Sequence, residues 1–198
     1  MSADEHEDAV DPEIPVWEDE YLDRVSDRLM FNYDLERDYR VRGETFPMYG
    51  EMRIESQKHF LHRSINYANH ESHEHLLVTR RPHVGVADLE RLVELGHDLA
   101  DEWIDTSDEH FSTDVTFVVV AETVPDDVEA FVADFRDRNL LRFGFHGHYE
   151  VNLVVAAPDE ESLVASRSAD VGQAFAIWAP IETGSPGLLA RIVRRIRS

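Results

Sequence analysis

The chain contains no cysteine. That absence removes disulfides, thiolate metal ligands and a cysteine nucleophile together. Lysine is almost missing too: Lys58 is the only one among 19 basic residues, and the rest are arginine. No apolar run approaches the ~18–20 residues that a helix needs to cross a bilayer. The opening residues Met1–Asp8 are acidic and lack the apolar core of a secretory signal. The phosphate-binding loop, the dinucleotide fingerprint, the Gly-x-Ser-x-Gly elbow and the calcium loop are also absent. These gaps lead to the expectation of a soluble, cytoplasmic protein without nucleotide-binding or serine-hydrolase chemistry.

What is present in excess is acid. Asp and Glu total 41 against 19 basic residues, a net charge of −22 over 198 residues. Such a chain repels itself at ordinary ionic strength, where the Debye length is ~10 Å; near 1 M salt that length falls to about 3 Å. The acids are spread along the whole sequence instead of gathered in one block, which reads as adaptation to concentrated salt. Phosphate recognition needs a basic footprint, so no strong nucleic-acid binding is expected. Hydrophobic residues at 42% and aromatics at 10% are enough for a real core.

Residues 1–15 read as a disordered acidic leader, 16–179 as one α+β domain, and 180–198 as a linker followed by a basic amphipathic helix. Trp17, Tyr21, Val25 and Leu29 recur every four residues, a helical stripe ending near Phe31. Period-two alternation follows. It predicts strands over Tyr39–Thr45, over Met48–Glu55 after an interruption at Pro47, over His59–Tyr67 and over His75–Arg80. These form an antiparallel meander with one charged face left open. A second helix covers Val86–Trp103, where Gly96 permits close packing. Asp114–Ala121, apolar on both faces, reads as a central strand.

Pro125 opens a third helix whose Val128, Phe131, Val132 and Phe135 share a face. Strands Leu140–Phe145 and Tyr149–Ala157 come next. A right-handed crossover makes the strand after the third helix parallel to Asp114–Ala121. Ser162–Ser166 pairs back, and Ala169–Ala179 reads as a short helix. The fold class is therefore α+β: an antiparallel β-meander continued into a β-α-β-β unit, with three main helices packed on the sheet and a short C-terminal amphipathic helix.

The segments Phe111–Arg136 and Arg142–Ala156 (RFGFHGHYEVNLVVA) resemble an uncharacterised domain family of unknown function in haloarchaea and some bacteria. The likeness extends over roughly Leu35–Arg167. It implies a shared α/β domain and carries no activity or catalytic residue with it.

Histidine is the first candidate for chemistry, with 11 in the chain. His59 and His62 fall on the third predicted strand, and His70, His73 and His75 crowd the turn after it. Zinc takes three or four N, S or O ligands at ~2.0–2.3 Å, and His73 and His75 share one strand face. The spacing matches no zinc-protease or zinc-finger pattern, and alternating His and Glu on a turn is ordinarily solvated. His146 and His148 flank Gly147 and are candidates for a site built across strands.

Catalytic candidates are Glu51, Glu55 and Lys58. A metal-dependent nuclease needs a lysine two residues after an acid, whereas Lys58 follows Glu55 by three and so points to the other face of a strand. Arg40, Arg42 and Arg53, with Tyr49 as a stacking surface, offer a binding face on the meander. Cross-strand pairing with Glu44, Glu51 and Glu55 competes with that reading. Arg191, Arg194 and Arg195 line one side of the C-terminal helix, which suits an anionic membrane surface, a partner groove or the protein's own acidic body.

No cofactor is expected, and a divalent metal is the one candidate. The first functional expectation is a non-enzymatic binding module for an unknown protein or a small anionic ligand. The alternative is a metal-dependent hydrolase or nuclease-like enzyme built from Glu51, Glu55, His59 and His62. Convergence of the two carboxylates with two histidines in one cleft favours the enzyme.

Overall fold

The computed structural model describes residues 15–57, 69–104, 110–141 and 147–180. Asp19 sets where the first helix begins. Its carboxylate accepts hydrogen bonds from the Tyr21 and Leu22 amides at 3.0 and 3.1 Å, satisfying two donors that a helix start leaves open. Helix α1 then runs Glu20–Leu29 and buries Tyr21, Leu22, Val25 and Leu29. Trp17 stands before the cap, outside the helix. Its indole N–H donates to the Pro47 carbonyl at 2.8 Å.

Strands β1 (Asp34–Val41) and β2 (Glu44–Gln57) form a hairpin. The stretch Tyr39–Thr45, expected as one strand, is where the chain reverses. Arg42 and Gly43 take φ of 48° and 84°, the left-handed pair that suits a tight hairpin turn. Pro47 does not interrupt β2, although it has no amide to give to a ladder. The register steps from Arg37↔Met48 to Tyr39↔Phe46, and Asp38, between them on β1, takes φ of 53°. Residues two or four apart on a regular strand share a face. Here they do not: Leu35 and Met48 pack on one side of the sheet, Tyr39 and Phe46 on the other.

Strand β3 (Asn69–Arg80) lies antiparallel to β2. The predicted strand His75–Arg80 is its second half, while His59–Tyr67 lies outside the described residues. Helix α2 (Val86–Trp103) crosses over to β4 (His110–Val120), which pairs parallel with β3. Helix α3 (Asp126–Asp134) leads to β5 (Asp137–Leu140), β6 (His148–Ala157), β7 (Ser162–Ala165) and the one-turn helix α4 (Gly172–Phe175). The result is a mixed seven-stranded sheet in the order β1-β2-β3-β4-β6-β5, with β7 also on β6.

The strand after α3 is not the parallel one. β5 is a four-residue edge strand antiparallel to β6, and β6 is the parallel neighbour of β4. Sequence chemistry explains the choice. Asp137-Arg-Asn-Leu140 suits an exposed edge, whereas the inner strand β6 is buried at nearly every residue. Of the expected strand Leu140–Phe145, only Leu140 is in β5, and residues 142–146 lie outside the described residues.

Helices cover both faces of the sheet, so the meander is not half-open over β2 and β3. On one side α1 and the α4 region pack on Met48, Met52, Leu76, Val78, Val118 and Val154. On the other, α2 and α3 pack on Leu77, Val115, Phe117, Val119, Leu153 and Val155. Gly96 is what lets α2 lie so close: a Cβ there meets both Val151 methyls at 3.0 Å and Phe117 at 3.1 Å. Val151 is β-branched and fixed in a buried strand, so it has little room to yield. Alanine gains about 1 kcal/mol of helix propensity over glycine, but overpacking a filled core costs ~1–3 kcal/mol. We expect Gly96→Ala to lower the denaturation midpoint; an unchanged or higher midpoint in urea contradicts this packing.

Candidate metal centre

β3 runs through Ser72-His73-Glu74-His75 before turning apolar at Leu76-Leu77-Val78. Alternation sends His73 and His75 to the α2 face with Leu77, and Ser72 and Glu74 to the α1 face with Leu76 and Val78. Across the β2–β3 pair, Glu51 stands opposite His75 and Arg53 opposite His73. The outcome is a cluster in which one ligand atom each from Glu51, His73 and His75 lies within 4.8 Å of the other two.

Its electrostatics favour the ligating forms. Arg53 donates to Glu51 Oε1 at 2.7 Å, and that bond holds the Glu51 carboxyl below its usual range. His75 is 8% exposed, and burial pushes its pKa from 6.5 down to about 4, so the ring is neutral at neutral pH. A neutral imidazole is the metal-binding form. The Tyr49 hydroxyl sits 2.8 Å from His75 Nδ1 and fixes the ring from behind, as partners of metal-bound imidazoles do. Burial raises the Tyr49 hydroxyl well above its usual range, so it keeps its proton. Tyr39 stacks on Tyr49 at 4.1 Å, and Trp103, at the end of α2, closes over His75 at 4.5 Å.

Two imidazoles and one carboxylate form a donor set that zinc accepts, with a fourth position left for water or substrate. Tetrahedral ligands on ~2.0 Å bonds stand about 3.3 Å apart. His73 Nδ1 and Glu51 Oε1 are 3.8 Å apart, and all three ligand atoms lie within 4.8 Å of one another, so the side chains must draw together by up to about 1.5 Å to hold the ion.

Of the residues expected from sequence, the structure joins Glu51, His73 and His75. Glu55 and His70 lie on β2 and β3, with side chains outside the described residues. Lys58, His59, His62, His146, Arg191, Arg194 and Arg195 lie outside the described residues altogether. Arg40 is exposed on β1. Arg42 pairs with Asp98 and Glu102 of α2 at 3.4 and 3.3 Å, away from the strand carboxylates, and Arg53 pairs with Glu51. Tyr49 is buried and offers no exposed stacking surface, because α2 covers the face it was expected to leave open.

His148 sits on the α1 face of β6 beside Asp114 and Glu150, neither of which sequence reading singled out. The same reading also missed a chain linking α2 to the sheet. His97 Nε2 lies 3.0 Å from Asp137 Oδ2, and its Nδ1 lies 3.0 Å from the Tyr149 hydroxyl. The three residues come from α2, β5 and β6, so no sequence spacing connects them.

The chain belongs to a family described as a domain of unknown function, DUF8052, whose model matches residues 18–177. The resemblance read over Leu35–Arg167 falls inside that match, which also takes in α1 and α4. No curated protein and no solved structure matches the chain. Among the described residues no helix is long and apolar enough to cross a membrane.

The His75 shift makes acid sensitivity a readable property of this site. The unfolded chain binds a proton near pH 6.5 that the folded ring refuses until about 4. Stability from this group is therefore complete above 6.5 and is lost as the pH falls toward 4. We expect metal-free protein to lose denaturation midpoint across that window, and His75→Gln to lose less. Equal losses in the two proteins, followed by urea titration, contradict the placement of a neutral His75.

Proposed function

We propose that this domain binds a zinc-class divalent ion through Glu51, His73 and His75 and presents the open coordination position to a small anionic ligand. The observation that carries the reading is the convergence of those three ligand atoms within 4.8 Å on one sheet face. Arg53, paired with Glu51 and largely exposed, supports the choice of an anionic ligand, since it adds a guanidinium beside the metal position. The acid-rich composition supports work in concentrated salt, where a metal–ligand bond persists and Arg53 contributes through direct hydrogen bonds, its long-range charge being screened.

Cobalt is the practical probe, because its visible bands report ligand number and geometry. Untagged protein in concentrated potassium chloride is expected to take up Co²⁺ with the intense bands of a four- or five-coordinate nitrogen–oxygen site. Added phosphate or oxalate shifts those bands, and His73→Ala abolishes them. A spectrum that is the same in His73→Ala as in the parent rejects the assignment.

One observation favours a second reading. Two histidines and one glutamate are also the ligands of hydrolytic zinc centres, where the metal lowers the pKa of bound water to about 7. Zinc-dependent hydrolysis of an activated ester that disappears in His73→Ala supports that reading over ligand capture alone.

A further inference from the structure

The opposite face of the same strands carries a second set of donors. Alternate residues of β3, β4 and β6 point toward α1, as Leu76, Val78, Val118 and Val154 show. Register places Glu74, Asp114 and Glu150 in one row across the three strands. Ser72, Ser112 and His148 form the row on one side, and Thr116 and Asn152 are paired on the other. One ligand atom each from Asp114, His148 and Glu150 lies within 4.8 Å of the other two.

Glu150 and His148 are buried and Asp114 is half-buried. Glu150 is 4% exposed. Arg138 of β5 reaches the Glu150 carboxylate at 3.5 Å, and His148 Nε2 lies 3.6 Å from the same oxygen. Tyr33 is buried against this row, and burial and Glu74 hold its hydroxyl well above its usual range.

A second, independent feature points to an occupant. The Ser72 Oγ, Thr116 Oγ1 and Asn152 Nδ2 atoms have no hydrogen-bond partner among the described residues, and all three side chains are more than nine-tenths buried. Buried polar atoms are ordinarily paired with protein or ordered water. Here three orphans share one sheet face with the donor cluster and flank it on both sides. Thr116 lies two residues beyond Asp114, and Asn152 two beyond Glu150. Water held on a cation donates to the Ser72 and Thr116 hydroxyls and so satisfies both needs at once, while Asn152 Nδ2, a donor only, suits a further water outside the ion's own shell.

We propose that Asp114, His148 and Glu150 form a second divalent-cation site, distinct from the Glu51–His73–His75 centre, with the Ser72 and Thr116 hydroxyls holding its water ligands. Two carboxylates, one imidazole and surrounding oxygens make it harder than the histidine-rich site. That mixture suits Mn²⁺ or Fe²⁺: oxygens satisfy a six-coordinate ion of this class, and the imidazole favours it over Mg²⁺ or Ca²⁺. The site rests on other residues and the other face of β3, so it stands or falls apart from the proposed zinc-class centre.

Manganese alone is the probe. Its sharp six-line paramagnetic resonance is quenched on binding to protein and counts the free ion directly. Titration of the untagged full chain at neutral pH in concentrated potassium chloride is expected to quench one equivalent of Mn²⁺. The same ion is expected to raise the melting temperature of the unmutated protein, a readout that needs no variant to fold. Asp114→Asn, nearly isosteric, weakens binding roughly tenfold or more, and Thr116→Val weakens it less. Glu51→Gln, which touches only the other centre, leaves Mn²⁺ binding unchanged. A full free-ion signal with an unmoved melting temperature overturns the proposal, and so does equal Mn²⁺ affinity in Asp114→Asn and the parent.

Discussion

The strict two-residue period of β3, held between an antiparallel and a parallel neighbour, is the constraint on which the rest of this molecule depends. β3 pairs with β2 along one side and β4 along the other, so its register cannot slip without dragging both. A slip of one residue exchanges the two faces of the whole strand. Leu76, Leu77 and Val78 forbid that slip by burying completely, in two separate cores. The same lock fixes Ser72, His73, Glu74 and His75 further back along the strand. Packing in the apolar half thereby positions chemistry in the polar half.

That division runs across the sheet. β4 passes from Thr113-Asp-Val-Thr116 to Phe117-Val-Val-Val120, and β6 from His148-Tyr-Glu-Val-Asn152 to Leu153-Val-Val-Ala156. The apolar ends of the parallel strands are their C-terminal ends, and both candidate centres sit toward the N-terminal ends. Open α/β sheets ordinarily bind ligands beyond the carboxyl ends of their strands. In this fold those ends hold the core instead, closed by α1 and the α4 region on one face and by α2 and α3 on the other. The few basic side chains fit the same economy. Arg42, Arg53, Arg80, Arg81, Arg91 and Arg138 all pair with acids within the fold, and the acids outnumber them.

How much of this the sequence discloses follows from the range of each interaction. Helical stripes are local, so α1, α2, α3 and the central strand β4 are legible, as is the close approach at Gly96. The hairpin at Arg42–Gly43 is misread because Tyr39, Val41 and Thr45 keep a period of two straight through the turn. Pro47 is misread as a break because the residue that accommodates it, Asp38, lies nine positions earlier on the other strand. Glu51, His73 and His75 are each visible as candidates, but their meeting depends on strand pairing that periodicity does not encode. Asp114 and Glu150 are hidden for the opposite reason: they fall within strands whose apolar halves dominate the reading. The signal was there in Thr113–Thr116 and His148–Asn152, where polar residues alternate on a strand otherwise buried on both faces.

Strand β3 thus lends His73 and His75 to one proposed centre and Ser72 to the rim of the other, whose three ligands come from β4 and β6. The most direct test of this arrangement is metal content per chain. Untagged protein is saturated with Zn²⁺ alone, which nitrogen–oxygen donors hold more tightly than Mn²⁺ at either centre, then desalted into concentrated potassium chloride and submitted to elemental analysis. Two zinc ions per chain are expected in the parent protein and one each in His73→Ala and Asp114→Asn. A parent chain that retains neither ion, or a single substitution that expels both, contradicts it.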